Sequence, residues 1–208
     1  MRSVPDFSIE KNCAQKIIAG VDEAGRGPLC GPVVAGAVVF LKYDFDDMPL
    51  ISDSKQMSEK QRNTAYDWIT NNPNIIWAVS QCSAAEIDEL NILWATMRAM
   101  ERAVCALNVS PEYCLIDGNR VPKNLNGMAV VKGDAKSLSI AAASIVAKVT
   151  RDRLMHELSE KYPEYAWNKN AGYPTPEHLY AIEKYGVNEH YRKTFGPVKK
   201  ILEICEKH

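Results

Sequence analysis

Residues 17–31 read IIAGVDEAGRGPLCG, and this stretch combines two features that conflict chemically. A short apolar run ends in two adjacent carboxylates, Asp22 and Glu23, and a glycine-rich turn follows immediately. Glycines around an arginine allow backbone N–H groups to approach a phosphate closely. Carboxylates repel phosphates, so the acids and the turn serve one site only if a cation lies between them. A second apolar run, PVVAGAVVFL, begins directly afterwards at Pro32.

Three interpretations compete for the glycine-rich turn. A dinucleotide-binding loop needs the pattern G-x-G-x-x-G and then a helix, whereas GRGPLCG departs from that pattern and precedes an apolar strand. A Walker-type loop needs a Gly-Lys-Ser/Thr ending, which this sequence lacks. The third interpretation is a structural turn between two strands with incidental acids, and the turn alone does not distinguish it from a functional site.

Two further aspartates favour a functional site. Asp117 ends the apolar run YCLID, and Asp134 follows the run MAVVKG. A single aspartate at a strand end is usually a turn former or a helix cap. Several strand ends that each carry a carboxylate indicate convergence on one point, because adjacent strands lie only about 4.8 Å apart. Converged carboxylates raise each other's pKa unless a cation lies among them, and oxygen ligands without a histidine cluster favour Mg²⁺ or Mn²⁺.

The composition is typical of a soluble globular protein: 208 residues, 46% apolar and 25% charged, with a net charge of −1. This charge gives no overall attraction to a polyanion, so nucleic-acid binding would need local basic patches. The first sixteen residues lack the apolar run of a signal peptide, and PVVAGAVVFL is too short to span a bilayer. Six scattered cysteines without a C-x-x-C pair indicate small buried hydrophobes. We therefore expect a reduced, cytoplasmic monomer without a membrane segment.

The pattern of apolar residues predicts a mixed α/β fold. Five short runs rich in Val and Ile predict strands, and five longer stretches with helical spacing predict helices. The first two strands follow one another without a helix and the later ones alternate with helices, which indicates a mixed sheet. Residues 1–162 are expected to form the main domain, and 163–208 a small helical segment. The predicted strands are 17–22, 32–41, 75–80, 112–117 and 128–132, and the predicted helices are 58–71, 84–107, 137–161, 176–185 and 197–207.

Seven motifs, taken in order, resemble the bacterial ribonuclease HII family. They are VDEAGRGPLCGPVV at 21–34, DSK at 53–55, LIDGNR at 115–120, KGD at 132–134, AAASIVAKVTRD at 141–152, GYPT at 172–175 and FGPVK at 195–199. Each motif alone is a weak signal, whereas the ordered set covers nearly the whole chain after residue 16. The resemblance implies a ribonuclease H-like α/β fold: a mixed five-stranded sheet, flanking helices and a C-terminal helical segment that binds substrate.

The resemblance also implies a catalytic metal site. The family's four catalytic and metal-binding acids correspond to Asp22, Glu23, Asp117 and Asp134 in this sequence. Asp22 is expected to bridge two ions of Mg²⁺ or Mn²⁺, one activating the attacking water and one stabilising the departing 3′-oxygen. Because neighbouring strand residues point to opposite faces, Asp22 and Glu23 can share this site only if the chain bends after them.

A second set of residues is expected to contact nucleic acid. The family's Gly-Arg-Gly loop and its substrate-sensing tyrosine correspond to residues 25–27 and 173. Phosphate contacts are expected from the DSK lysine, from a Ser/Lys pair on one helix face, and from the acid-free basic run HYRKTFGPVKK at 190–200. A solvated helix edge and a solvated basic face are the alternatives for the last two. The full set is Gly25, Arg26, Gly27, Lys55, Ser144, Lys148, Tyr173, Lys199 and Lys200.

The reaction implied by the resemblance is metal-dependent endonucleolytic hydrolysis. Its substrates would be the RNA strand of RNA–DNA hybrids and duplex DNA with embedded ribonucleotides, which is cut on their 5′ side. The products would carry 3′-hydroxyl and 5′-phosphate ends, and the biological role would be removal of misincorporated ribonucleotides and RNA primers. Two rival functions remain: another metal-dependent nuclease of the ribonuclease H-like group, and a catalytically silent nucleic-acid-binding module.

Overall fold

The run that ends in the two acids forms the central strand of a five-stranded sheet. In the computed structural model, which describes residues 4–205, β1 (Ile18–Ala24) pairs antiparallel with β2 (Val33–Phe40). It pairs parallel with β4 (Tyr113–Asp117) on its other side. The strand β3 (Ile75–Cys82) pairs antiparallel with β2, and β5 (Gly127–Val130) pairs parallel with β4. The order β3-β2-β1-β4-β5 confirms the predicted mixed sheet.

The described part of the chain contains seven α-helices. Each of the five predicted helices is present within two residues of its expected bounds, and residues 206–207 of the last prediction lie outside the described residues. The two helices that the apolar pattern does not predict are four and five residues long, too short for helical periodicity to appear. No helix within residues 4–205 has the length and apolar character to cross a membrane. The helices are α1 (Ser8–Asn12), α2 (Glu59–Asn71), α3 (Ala84–Cys105), α4 (Leu138–Lys161), α5 (Trp167–Asn170), α6 (Pro176–Tyr185) and α7 (Gly196–Cys205).

Helix α4 lies directly on β1 and β2, with glycines at the points of contact. A Cβ atom at Gly20 would lie 2.1 Å from the carbonyl carbon of Ser139, and one at Gly36 would lie 2.6 Å from the carbonyl oxygen of Ala143. Any larger residue at these two positions would push the helix away from the sheet. The first ten residues of α4, 138–147, are accordingly all buried. This contact places α4 beside the strand ends that carry the acids.

Residues 163–205 pack against the loop that joins β1 to β2. Leu29 and Cys30 of this loop share a hydrophobic core with Trp167 and Val198 of the C-terminal segment. The backbone N–H of Leu29 also donates a hydrogen bond of 2.8 Å to the carbonyl oxygen of Gly172. The C-terminal segment therefore supports the glycine-rich loop directly. The division of the chain at residue 162 stays a prediction.

The contact at Gly20 yields a test of the packing between β1 and α4. We expect Gly20→Ala to lower the free energy of unfolding by about 1–3 kcal/mol, because the added methyl group overpacks the strand against the helix backbone. Gly196→Ala is the matched control, since a Cβ atom there has no neighbour within 4 Å. Its effect should stay within about 0.5 kcal/mol. Urea denaturation measures both values, and equal stability of the two variants would contradict this packing.

Candidate active site

A cleft of about 680 Å³ opens where β1 and β4 end. Three of the four predicted acids line it: Asp22, Glu23 and Asp117. Seven of the nine predicted nucleic-acid-binding residues line the same cleft, and they are Gly25, Arg26, Gly27, Lys55, Ser144, Lys148 and Tyr173. The structure thus brings ten of the thirteen predicted site residues together.

Asp22 is the most buried of the acids. Its side chain lies on β1 with only 6% of the residue exposed, and its Oδ1 accepts a hydrogen bond of 2.6 Å from the backbone N–H of Glu23. Burial raises the pKa of Asp22 well above its ordinary value, and the negative charges of Glu23 and Asp117 raise it further. A carboxylate in this position is destabilised unless positive charge lies beside it.

The other two acids of the cleft are held by neighbours of their own. Glu23 Oε1 accepts a hydrogen bond of 3.3 Å from Nη1 of Arg26, and Asp117 Oδ1 accepts one of 2.7 Å from the backbone N–H of Gly133. Burial raises the pKa of Glu23, while the positive charge of Arg26 acts in the opposite direction. Within residues 4–205, no group of three or more acid, His or Cys side chains is arranged to hold a metal ion as it stands.

The donor chemistry of the cleft nevertheless fits a hard divalent cation. Its three acids offer only carboxylate oxygens, the ligands that Mg²⁺ and Mn²⁺ prefer. The repulsion that raises the pKa of Asp22 would be relieved by a cation among them.

Asp134 lies elsewhere than the apolar pattern predicts. The strand β5 ends at Val130, and Lys132 has a left-handed φ of 56° that ends the extended backbone. Asp134 therefore lies in a short 3-10 turn, Gly133–Ala135, and does not line the cleft. The prediction that a strand terminus carries this acid is wrong. Burial raises the pKa of Asp134, and the negative charge of Asp117 raises it further, so the two carboxylates interact.

The glycine-rich loop brings backbone and an aromatic ring to the mouth of the cleft. Gly25 has a φ of +94°, which favours glycine and turns the chain directly after β1. A Cβ atom at Gly27 would lie 3.3 Å from Cε1 of Tyr173, so the tyrosine ring lies against this residue. Tyr173 is 45% exposed, and its ring is accessible to a ligand. The loop and the ring form one continuous surface.

The predicted Ser/Lys pair lines the cleft from α4. Ser144 Oγ donates a hydrogen bond of 2.8 Å to Ser54 Oγ, and Lys148 Nζ lies 2.6 Å from Oδ1 of Asp152. The Ser144 side chain is buried and Lys148 is partly exposed. Ser144 therefore links α4 to the loop that contains the DSK motif at 53–55. Lys148 remains available to an anionic ligand that competes with Asp152.

The basic residues of the run at 190–200 differ in exposure: some lie on the surface and one is buried. Lys199 and Lys200 are exposed on α7 and do not line the cleft, and Lys199 Nζ lies 3.9 Å from Oε1 of Glu203. Arg192, by contrast, is fully buried. Its predicted place in a surface patch is wrong, because its guanidinium donates to backbone carbonyls of the β1–β2 loop. The only sequence signal for this burial is the pair of flanking aromatics, Tyr191 and Phe195.

The sheet and the cleft define a nuclease of ribonuclease H-like fold, and solved structures agree. The ribonuclease H2 of Pyrococcus horikoshii OT3 is 29% identical, with a TM-score of 0.76 over 92% of this chain and 100% of that one. The ribonuclease HII in a complex with PCNA from Archaeoglobus fulgidus is 25% identical, with a TM-score of 0.72 over 86% and 95%. A Bst ribonuclease HIII in complex with Mn²⁺ shares the fold at 18% identity, with a TM-score of 0.69 over 98% and 75%.

Sequence comparison identifies the family. The model of the ribonuclease HII family matches residues 19–196. The ribonuclease HII of Magnetococcus marinus is 54% identical over 95% of each chain, and that of Rickettsia akari is 52% identical over 89% of this chain and 94% of its own. The chain therefore belongs to the ribonuclease HII family and is a ribonuclease H enzyme. This membership argues against the alternative of a catalytically silent binding module.

The burial of Asp22 predicts how the metal-free protein responds to pH. Because the pKa of Asp22 is raised in the folded state, that state binds the proton more tightly than the unfolded chain does. The free energy of unfolding should therefore fall as the pH rises from the ordinary value of 3.8 through the raised value. In the presence of a chelator, we expect Asp22→Asn to be more stable than wild type at pH 7 and less sensitive to pH in this window. Urea denaturation measures this, with the exposed Asp46→Asn as control; if the two variants behave alike, the carboxylate of Asp22 is not under strain.

Proposed function

We propose that the chain is a metal-dependent endonuclease that cuts the RNA strand of RNA–DNA hybrids and the 5′ side of ribonucleotides embedded in duplex DNA. The observation that carries this proposal is one cleft in which buried Asp22 faces Glu23 and Asp117 beside the Gly-Arg-Gly loop and Tyr173. The products would carry 3′-hydroxyl and 5′-phosphate ends. The biological role would be removal of misincorporated ribonucleotides and RNA primers, carried out in the cytoplasm by a monomer.

The acids would hold the catalytic metal. Asp22, Glu23, Asp117 and Asp134 would be ligands of Mg²⁺ or Mn²⁺, with Asp134 reaching the site from its adjacent turn, where its charge already acts on Asp22. Two bound ions would supply an activated water at neutral pH and would stabilise the charge that develops on the phosphodiester. The buried position of Asp22 keeps bulk water away from one side of the site, which strengthens the interaction of its carboxylate with any cation.

The loop and the ring would recognise the ribose. A protein that distinguishes RNA from DNA must contact the 2′-hydroxyl, which both donates and accepts hydrogen bonds. Gly25 and Gly27 present backbone without side chains, and Tyr173 packs beside Gly27 at the edge of the same cleft. A sugar held between them would have its 2′-hydroxyl within reach of backbone N–H groups and of the tyrosine hydroxyl.

The basic residues would hold the phosphates of the duplex. Lys55 and Lys148 line the cleft, so they would contact phosphates close to the cut. Lys199 and Lys200 lie on α7 outside the cleft and would contact the duplex farther along its length. Such contacts supply affinity without sequence or sugar selectivity. The net charge of −1 makes these local contacts the main source of attraction.

The most direct test of the proposed function is cleavage of a DNA duplex that carries a single ribonucleotide. Wild-type protein should cut on the 5′ side of that ribonucleotide with Mg²⁺ or Mn²⁺ and should be inactive with a chelator. Asp22→Asn should lower the cleavage rate more than about 100-fold. Loss of a residue that only orients a metal ligand costs up to about 100-fold, and loss of a ligand itself should cost more. Asp46→Asn should retain the wild-type rate. Cleavage of an all-DNA duplex, or undiminished turnover by Asp22→Asn, would contradict the proposal.

The role of Tyr173 can be separated from general duplex binding. We expect Tyr173→Ala to reduce the single-turnover rate more than the affinity, since a contact made mainly in the reacting geometry lowers the rate constant when it is lost. Tyr173→Phe should fall between wild type and alanine, because the ring still packs beside Gly27 and only the hydroxyl is missing. Tyr180→Ala is the control, because that tyrosine is 63% exposed and lies outside the cleft. Equal loss of affinity for ribonucleotide-containing and all-DNA duplexes would show that the ring is only a docking surface.

A further inference from the structure

Arg192 is buried, and its guanidinium binds neutral backbone carbonyls of the loop between β1 and β2. Nη2 donates to the carbonyl oxygens of Gly25 at 2.6 Å and Gly31 at 2.9 Å, and Nε also donates to Gly31 at 3.1 Å. Nη1 donates to the carbonyl oxygens of Arg26 at 2.9 Å and Pro28 at 2.7 Å. Five hydrogen bonds from one side chain, contributed by the C-terminal segment, therefore fix the orientation of this loop.

These bonds also determine where the N–H groups of the loop point. The described chain contains no cis peptide bond, and in a trans peptide the C=O and N–H groups point in opposite directions. The carbonyls of Gly25 and Arg26 point towards Arg192, so the N–H groups of Arg26 and Gly27 point away from it. Neither N–H donates to an acceptor within residues 4–205, and both residues line the cleft. Two free donors thus belong to the wall of the active site.

A second buried arginine supports the same loop. Arg151 of α4 donates to the carbonyl oxygens of Pro32 at 3.1 Å and Cys30 at 3.3 Å, and its side chain lies against Gly25. Burial, and then the positive charge of Arg151, lower the pKa of Arg192 to about 9. At neutral pH the guanidinium still carries its proton, which its five hydrogen bonds to four carbonyl oxygens require.

We propose that Arg192 is a positioning residue that determines selectivity for the ribonucleotide. By holding the carbonyls of Gly25 and Arg26, it presents the N–H groups of Arg26 and Gly27 to the 2′-hydroxyl of the substrate. Without the planar guanidinium of Arg192 the peptide groups of the loop can rotate, and the N–H groups of Arg26 and Gly27 lose their alignment. Affinity for an all-DNA duplex depends on phosphate contacts elsewhere, so it should change little. This inference rests on the proposed function for the identity of the substrate.

The test compares Arg192→Lys with a control that loosens the same packing. Lysine keeps the charge but cannot form the planar fork. Val198→Ala is the control, since Val198 is buried in the core that joins the C-terminal segment to Leu29 and Cys30, and its side chain contributes no hydrogen bond. We expect Arg192→Lys to lower the single-turnover rate on the ribonucleotide duplex at least about 10-fold, because misplacement by 1 Å costs up to about 100-fold. Its binding preference for that duplex over all-DNA duplex should also fall, whereas Val198→Ala should retain both.

Stability and amide spectra make the outcome decisive. Urea denaturation measures the free energy of unfolding that each variant loses. If Arg192→Lys and Val198→Ala are equally stable and lose cleavage rate and binding preference for the ribonucleotide duplex to the same extent, the positioning role is wrong. If Arg192→Lys does not fold, amide NMR of the wild type replaces it. The Arg26 and Gly27 amides should then shift on addition of the ribonucleotide duplex and not of the all-DNA duplex, and identical shifts would overturn the inference. A wild-type protein that binds the ribonucleotide duplex with these shifts but does not cut it would contradict only the proposed function.

Discussion

The constraint on which the site depends is the burial of a carboxylate beside two others. Asp22 belongs to the central strand, where pairing on both sides and the close contact of α4 leave the backbone no freedom to expose it. Burial and the charges of Glu23 and Asp117 raise its pKa, so the folded protein carries an electrostatic strain at this point. A strain of this kind is tolerated where function requires it. A divalent cation is the partner that would relieve it.

The loop between β1 and β2 is also held in place by buried charged groups, but here the charges are positive. Two buried guanidiniums, from α4 and from the C-terminal segment, hold the carbonyls of the loop from behind. The acids on one side and the N–H groups on the other then border one cleft. This arrangement explains how carboxylates and a phosphate-approaching loop occur together, because the cation and the loop would contact different parts of one nucleotide. The C-terminal segment contributes to the site through both Tyr173 and Arg192.

The sequence predicts most of this architecture because its signals are local. Short runs rich in Val and Ile mark the strands, and the acids at the ends of β1 and β4 converge because those strands are neighbours. The position of Asp134 was not predicted, because a left-handed residue at Lys132 ends the extended backbone before the acid is reached. The burial of Arg192 was not predicted because its hydrogen-bond partners lie more than 160 residues earlier in the chain. A run of basic residues usually lies on the surface of a protein. Only the three-dimensional structure shows which basic side chain is buried and binds backbone carbonyls.

If the clustered acids hold a divalent cation, the number of ions bound by the protein can be counted. Electron paramagnetic resonance of free Mn²⁺ during a titration of the protein at neutral pH gives that number without a substrate. We expect saturable binding of at least one ion by the wild type and its loss in the double variant Asp22→Asn/Asp117→Asn. The exposed pair Asp46→Asn/Asp47→Asn should bind like the wild type. Equal Mn²⁺ binding by all three proteins would show that Asp22 and Asp117 do not hold the ion.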